Sequence, residues 1–330
     1  MSAVIIAAVA IAAVLVAVIV IVPLVVPVPP LRSTVPPSQL ADHDSHFASI
    51  DGITVHYKVY GAETESRAIL LLHGFGASTF SWRDVGPLLG REYRVVAIDR
   101  TGYGLTRRPL PPNRSAWRSA SPYSYEAQAE AAFGLLDELG VREAAVVGHS
   151  QGAAVAVTMA VISPKRVSAL VLTAPGVNNG VIPSWILPAL RTRQGRALGR
   201  LIARSLAQRG TASILRRAFA DPATATPEVV EGYRRPLRAD DWDVGLWEMT
   251  IAPQPIRPKD DLDKLEGIPT LVITPTADRI VSPKAERETQ AAIPGAKLTE
   301  ASGQNHLFHE DHPAEFVKLA EGFLDSARPG

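Results

Sequence analysis

The chain has 330 residues, enough for one large hydrophobic core or two small ones. Its 34 basic and 33 acidic residues leave a formal net charge of +1, which gives no indication of nucleic-acid binding, and we expect no nucleic-acid partner. The sequence contains no cysteine, which excludes disulfides, thiolate metal sites and a cysteine nucleophile.

The N-terminus carries an apolar run, residues 3–22, that no polar residue interrupts. A helix of about 20 residues rises about 30 Å, the thickness of a hydrocarbon core. A cleaved signal peptide is the alternative, but no Lys or Arg precedes the run, the run is too long and prolines follow it. We therefore predict a retained transmembrane anchor over residues 1–31 and a single-pass membrane location. Its orientation is poorly specified because Arg32 is the only basic residue nearby, and we favour the extracytoplasmic side.

A proline-rich segment follows the apolar run. Six prolines lie between Pro23 and Pro37, and they disfavour both helix and sheet. We predict that residues 32–45 form a stiff, extended linker of roughly 3 Å per residue. The folded domain is expected to begin near His46.

From residue 46 onward, strand-like and helix-like segments alternate. The first two strands flank the turn residues Asp51 and Gly52, and "AILLLH", "YRVVAID", "EAAVVGH", "ALVLTAP", "PTLVITP" and "AKLTEAS" are further strand candidates. Helical segments separate most of them, which predicts an α/β fold with a mostly parallel central sheet and helices on both faces. We assign residues 46–175 and 261–330 to this core.

One long segment, residues 176–260, interrupts the alternation. It has no good strand run and is rich in Arg, Leu, Ala and Trp at helical spacing. We predict a helical cap over the carboxyl ends of the strands, the edge at which open α/β folds bind ligands.

The sequence Gly148-His149-Ser150-Gln151-Gly152 stands where a strand-like run changes to a helix-like one. Gly-X-Ser-X-Gly at such a junction is typical of a nucleophile elbow, a tight turn that exposes the serine at a helix N-terminus. The two glycines leave room where side chains would clash. We therefore predict that Ser150 is a nucleophile.

A serine nucleophile needs a base and a group that orients the base. Asp278 follows the strand candidate "PTLVITP", and His306 follows the last strand, so the chain order is Ser, Asp, His. His309 is an alternative base, whereas His312 precedes a proline at a helix start and is expected on the surface. Two aspartates upstream, Asp261 and Asp263, are alternatives to Asp278 as the residue that orients the base.

Upstream, His73-Gly74-Phe75-Gly76 follows the buried strand "AILLL". The backbone N–H groups of Phe75 and Gln151 are therefore candidates for an oxyanion hole. His73 and the Asp99-Arg100 pair are expected to have structural roles.

Five motifs together carry a family resemblance: "HGFG", "DRTGYGLT" beginning at Asp99, "GHSQGA", "TPTADRIVSP" and "GQNHLFHEDHPAEF". From about residue 47 to residue 327 the chain resembles the α/β-hydrolase superfamily, in its esterase, lipase and C–C hydrolase branch. The resemblance implies a catalytic triad of Ser150, Asp278 and His306. The epoxide hydrolases and haloalkane dehalogenases of this fold need a carboxylate where this chain has the serine.

The reaction expected from these residues is the hydrolysis of a small-molecule carboxylic ester through an acyl-enzyme, without metal or organic cofactor. Apolar or lipid-like esters are favoured, since an anchored domain of this type resembles the membrane-bound monoacylglycerol lipases. C–C bond hydrolysis, acyl transfer or perhydrolase activity is the alternative within enzymes, and a non-catalytic binding protein is the alternative from another class. The sequence does not indicate an oligomeric state.

Four arginines recur at helical spacing inside the predicted cap: Arg193, Arg196, Arg200 and Arg204. This basic face has two interpretations. The first is a face that is solvated or paired with the acidic cluster Asp240, Asp241 and Asp243, and the second is a surface that rests on anionic lipid headgroups. The first interpretation is favoured because runs of charge are usually solvated.

Overall fold

The computed structural model describes residues 28–63, 65, 67–110, 121–177 and 182–327, with six isolated positions between residues 5 and 17. Most of the apolar run 3–22 lies outside these described residues. Within them, no helix is both long enough and apolar enough to span a bilayer. The predicted single-pass membrane location is contradicted by this finding: hydropathy met the composition requirement for a span, but a span also requires a long apolar helix, and the described residues contain none.

An eight-stranded sheet forms the centre of the fold, in the order β1-β2-β4-β3-β5-β6-β7-β8. The first two pairings, β1 with β2 and β2 with β4, are antiparallel, and the other pairings are parallel. The predicted mostly parallel sheet is thus confirmed. The strands are β1 His46–Ile50, β2 Ile53–Tyr60, β3 Ala68–Leu72, β4 Arg94–Ile98, β5 Ala144–His149, β6 Val167–Thr173, β7 Thr270–Pro275 and β8 Lys297–Ala301.

Helices cover both faces of the sheet. In the described ranges they are α1 Val85–Leu89, α2 Tyr125–Glu138, α3 Gln151–Ile162, α4 Leu187–Leu190, α5 Arg193–Ala218, α6 Pro227–Arg234, α7 Trp242–Ile251, α8 Pro283–Ala292, α9 Phe308–Asp311 and α10 Pro313–Ser326. Burial on both faces of the sheet explains why the sequence of β3 is continuously apolar. Leu70 and Leu72 face the core under α2 and α3, whereas Ile69 and Leu71 face the opposite core under α1 and α10.

The chain between β6 and β7 forms the helices α4–α7, which we call the cap. Where this segment is described, its only strand-like pairing is an isolated bridge between Ala239 and Val35. The longest helix, α5, packs along α7.

The residues predicted to form an extended linker instead contact the domain from Val35 onward. Pro37–Leu40 is a short 3-10 helix, because the fixed φ of proline suits a first helical turn. Asp42 forms ion pairs with Lys58 of β2 and with Arg235 at the end of the cap helix α6. These charges hold the segment against both core and cap.

Candidate active site

Ser150 occupies a strained turn between β5 and α3. Its φ of +51° lies in the left-handed region that residues with side chains rarely adopt. The flanking glycines make the turn possible. A Cβ on Gly148 would lie 2.7 Å from the Ala153 Cα, and one on Gly152 would lie 2.1 Å from the Leu72 carbonyl oxygen. The sterics expected of a nucleophile elbow are therefore present.

Asp278 and His306 lie together at the same edge of the sheet. Asp278 follows β7, and its Oδ2 is 2.6 Å from His306 Nδ1. Its Oδ1 accepts the backbone N–H groups of Ile280 and Val281 at 2.6 and 2.9 Å. With this carboxylate fixed, His306 Nδ1 is oriented and Nε2 is the ring nitrogen left to exchange protons.

His149, the residue before Ser150, connects the elbow with His306. Its Nε2–H donates to the His306 carbonyl at 3.0 Å, and the two ring centroids are 4.7 Å apart. Burial and the adjacent His309 hold the pKa of His149 well below its ordinary value, so the ring is neutral. The elbow and the loop after β8 therefore pack directly on each other.

The competing histidines occupy different environments. His309 is fully buried, with Nε2 bonded to Ser81 Oγ at 2.9 Å and its ring against Trp82. Burial holds its pKa well below the ordinary value. His312 is exposed at the start of α10. Among the described contacts of the three, only His306 has a carboxylate at hydrogen-bond distance, Asp278 at 2.6 Å, whereas the Glu310 carboxylate lies 3.8 Å from His309 Nε2.

The two candidate oxyanion donors come from opposite sides of the elbow. Phe75 follows β3, and Gln151 is the first residue of α3, where a backbone N–H has no partner inside the helix. Neither N–H donates to another group in the part of the chain that is described. Both remain available to an oxygen bound above the sheet edge.

His73 and Asp99 hold the loops beneath these donors. His73 Nδ1–H donates to the Gly74 carbonyl at 2.8 Å, and its Nε2 accepts the Arg100 backbone N–H at 3.1 Å. Burial lowers the pKa of His73 to about 3, so it stays neutral. Asp99 accepts His56 Nδ1 at 2.6 Å and two backbone N–H groups. Both residues are buried and fully engaged, which fits the structural roles expected for them.

A cavity of about 380 Å³ lies between the loop that follows β3 and the cap. Phe75 and Tyr103 line it from the core, and Ile202, Leu206 and Trp247 line it from α5 and α7. Its wall is almost entirely apolar. A cavity of this size and character suits the hydrocarbon part of a small molecule.

Comparison with known proteins agrees with this architecture. Residues 69–319 match the sequence pattern of the alpha/beta hydrolase family. The chain belongs to that family.

Individual relatives of this alpha/beta hydrolase differ in reaction. An uncharacterized protein of Mycobacterium tuberculosis is 27% identical over 321 residues, 91% of this chain and 85% of that protein. Epoxide hydrolase B of the same organism is 40% identical over 116 residues, but these are 34% of this chain and 30% of that protein. The solved structure of the enol-lactonase from Burkholderia xenovorans has a TM-score of 0.68 and 24% identity, over 85% of this chain and 100% of that chain. The last likeness concerns the fold alone.

The hydrolase buries a second carboxyl group next to Asp278. Glu286 lies on α8 and is inaccessible to solvent. Burial, followed by the charge of Asp278, raises the pKa of Glu286 to about 9, so this acid keeps its proton at neutral pH. No pattern in the sequence indicates it, because Glu286 stands among three other charged residues of the same helix, and these are exposed: Lys284, Arg287 and Glu288.

The cap arginines of the hydrolase are paired within the protein. Arg196 Nε is 2.6 Å from Glu248, and the Nε atoms of Arg200 and Arg204 are each 2.8 Å from Asp243 Oδ2. Asp243 and Glu248 both lie on α7. Of the two interpretations of the basic face, the internally paired one is therefore correct for three of the four arginines.

Among the described residues, no group of three or more His, Asp or Glu side chains has the arrangement of a metal site.

Proposed function

We propose that this alpha/beta hydrolase is a serine hydrolase that cleaves carboxylic esters of apolar acyl or alcohol groups through an acyl-enzyme. The observation that carries the proposal is the strained Ser150 turn, whose neighbour His149 bonds to the His306 carbonyl, together with a His306 Nδ1 held by Asp278 at 2.6 Å. A serine, a histidine and an orienting carboxylate are the three groups that acyl transfer requires.

In the proposed mechanism, Ser150 Oγ attacks the ester carbonyl while His306 Nε2 takes its proton. The tetrahedral oxyanion is held by the N–H groups of Phe75 and Gln151. His306 then gives the proton to the departing alcohol, and the carbonyl reforms as an acyl-enzyme. Water, deprotonated by the same imidazole, attacks this ester and releases the acid. Asp278 stays ionised throughout and stabilises the imidazolium.

The apolar cavity supports the choice of substrate class. It opens beside Phe75, so a chain bound there would have its carbonyl near the oxyanion donors. Burying each methylene contributes about 0.8 kcal/mol, so selectivity is expected to rise with chain length until the cavity is full.

The partial match to an epoxide hydrolase does not carry that activity to this chain. Epoxide opening on this fold uses a carboxylate nucleophile, and the chain has Ser150 at that position. No specific contact favours C–C cleavage over ester cleavage, and ester hydrolysis remains the proposal.

The test is a panel of p-nitrophenyl esters from two to sixteen carbons, run with a fluorophosphonate label. We expect turnover and labelling in the native protein and loss of both in Ser150→Ala. The matched control is Ser49→Ala on β1, which removes a serine hydroxyl far from the elbow along the chain. A folded native protein that hydrolyses no ester and takes no label contradicts the proposal.

A further inference from the structure

The Arg100 guanidinium is a buried charge that, within the described residues, contacts no carboxylate. The side chain is 2% exposed, and within the described residues no Asp or Glu lies within ion-pair distance. The adjacent Asp99 carboxylate is directed to His56 and to backbone N–H groups instead. Leaving a buried charge without a counter-ion costs several kcal/mol, which suggests that its location serves the site.

The described hydrogen-bond partners of this guanidinium are all neutral. Two of them, Gly74 and Gln151, belong to the peptide units or residues that carry the candidate oxyanion donors. Nη2 donates to the Gly74 carbonyl at 3.1 Å and to Gln151 Oε1 at 3.0 Å. Nη1 donates to Gln128 Oε1 at 2.8 Å. Tyr103 Oη–H donates to the same Gln151 oxygen at 3.1 Å.

The Gly74 carbonyl and the Phe75 N–H are the two ends of one peptide unit. A charged donor on the carbonyl fixes the plane of that peptide and, by polarising it, makes its N–H a stronger donor. His73 Nδ1–H donates to the same carbonyl, so its orientation is set from two sides. On the other side of the elbow, the guanidinium fixes the side chain of Gln151, whose backbone N–H is the second donor.

We propose that Arg100 is a positioning residue that holds both halves of the oxyanion hole and places an unneutralised positive charge behind them. This inference rests on the proposed acyl-transfer function. The charge acts through the Gly74–Phe75 peptide and through Gln151, and it is not in contact with substrate. It strengthens the two donors most when an oxygen in the hole becomes negative, so it stabilises the transition state more than the bound ester.

Among the described groups that bond to the Arg100 guanidinium or share its partners, none other is charged. Burial lowers the pKa of Arg100, but an arginine starts so high that it stays protonated at neutral pH. Burial raises the pKa values of Tyr103 and Tyr125, so both phenols are neutral. His73 is neutral as well.

The experiment compares Arg100→Met and Arg100→Lys with the native enzyme on a short p-nitrophenyl ester. For Arg100→Met we expect kcat to fall about 10²-fold, as for loss of an oxyanion donor, with KM changed less than about threefold. Arg100→Lys keeps the charge but cannot reach Gly74, Gln128 and Gln151 together, and an intermediate loss of about tenfold is expected.

A second readout separates the oxyanion role from simple support of the fold. An alkyl trifluoromethyl ketone adds to Ser150, and its oxyanion occupies the hole, so its affinity is expected to fall in parallel with kcat. Affinity for an uncharged alkyl alcohol of the same chain length, which places no anionic oxygen in the hole, should stay unchanged. Arg166→Met is the matched control, because Arg166 also donates to two backbone carbonyls, of Val141 and Arg142, far from the site.

The outcomes distinguish this inference from the proposed function. A native protein without Ser150-dependent esterase activity contradicts the function itself. Normal native activity, together with unchanged kcat and ketone affinity in a folded Arg100→Met or Arg100→Lys, overturns the inference alone. If Arg100→Met does not fold, the same two measurements on Arg100→Lys decide.

Discussion

Two buried ionisable groups of the core, Arg100 and Glu286, lack the opposite charge that the buried carboxylates of the cap have. In the cap, Arg200 and Arg204 share Asp243, and Arg196 pairs with Glu248. In the core, Arg100 is bonded to neutral amide and peptide oxygens, and Glu286 is a carboxyl group held neutral beside another carboxylate.

The difference indicates what each region is built to do. Ion pairs join α5 to α7, so they serve the packing of the cap. The unpaired Arg100 charge costs stability, but its field reaches the atoms that gain and lose charge during acyl transfer. We therefore expect substitution of Arg100 to act mainly on catalysis, substitution of Glu286 on the pH dependence of stability, and substitutions of cap charges on stability itself.

The largest expected effect is that of Asp278→Asn. An amide at this position favours the wrong histidine tautomer, so kcat should fall about 10³- to 10⁴-fold while the fold is retained. His306→Ala should be at least as damaging. Steady-state kinetics on a short ester, with circular dichroism as the check on folding, measures both.

The matched control for His306 is His309→Ala, which removes a buried ring whose Nε2 is bonded to Ser81 Oγ and that has no role in the proposed mechanism. It should lose stability through the cavity it leaves and keep most of its kcat. An inactive, folded His309→Ala together with an active His306→Ala would reverse the assignment of the base.

The second expected effect concerns Glu286 and pH. Its pKa is about 9 in the folded protein against an ordinary 4.5, so unfolding between these values releases a proton. Stability is therefore lost as pH rises through this window, by at most about 1.4 kcal/mol per pH unit. Glu286→Gln has no proton to release, and its urea midpoint should fall less than the native one between pH 5 and pH 8.5.

A control at the same helix is Glu288→Gln, because the Glu288 side chain is exposed. Its midpoint should follow the native pH dependence. Equal slopes for Glu286→Gln and the native protein would mean that Glu286 is ionised in the fold.

Sequence patterns were sufficient for the sheet and for the elbow because both depend on local rules. The continuous apolar run in β3 indicates burial on two faces. The spacing of Gly148 and Gly152 indicates a turn in which a side chain at either position would clash. The order of Ser150, Asp278 and His306 along strand ends follows from the same regularity. Their catalytic roles remain proposals.

Long-range charge pairing could not be predicted in the same way. The spacing of the α5 arginines indicated one basic face, but only the packing of α7 decides that Asp243 lies between Arg200 and Arg204. Arg100 and Glu286 were missed as functional candidates for the same reason, since their neighbours come from distant segments. The predicted single-pass location was not confirmed, because hydropathy describes composition alone, whereas a span also requires a long apolar helix, and the described residues contain none.

A smaller effect is expected from Asp243→Asn in the cap. Asp243 is inaccessible, and its removal leaves Arg200 and Arg204 without their shared carboxylate. We expect a loss of about 3 kcal/mol in the free energy of unfolding, measured by urea denaturation, with kcat on a short ester within about threefold of native. Asp240→Asn, in the same acidic cluster, should cost much less. A large loss of kcat at full stability would place the cap charges in catalysis and remove the contrast with the core.

The smallest effect is expected at Arg193, the first of the α5 arginines. It is exposed, and no ion pair is recorded for it among the described residues, whereas the other three contact carboxylates of α7. Arg193→Gln should therefore change the free energy of unfolding by less than about 0.5 kcal/mol, as for an ordinary surface position. Arg200→Gln should cost more, because it takes one of two cations from a buried carboxylate, but less than Asp243→Asn, because Arg204 remains. Urea denaturation of the three variants at low and high salt tests this order. The difference between Arg200→Gln and Arg193→Gln should persist at high salt, since partly buried pairs are poorly screened. If the two variants are equally stable, the α5 arginines act as solvated surface, and the contrast between paired cap charges and unpaired core charges does not hold.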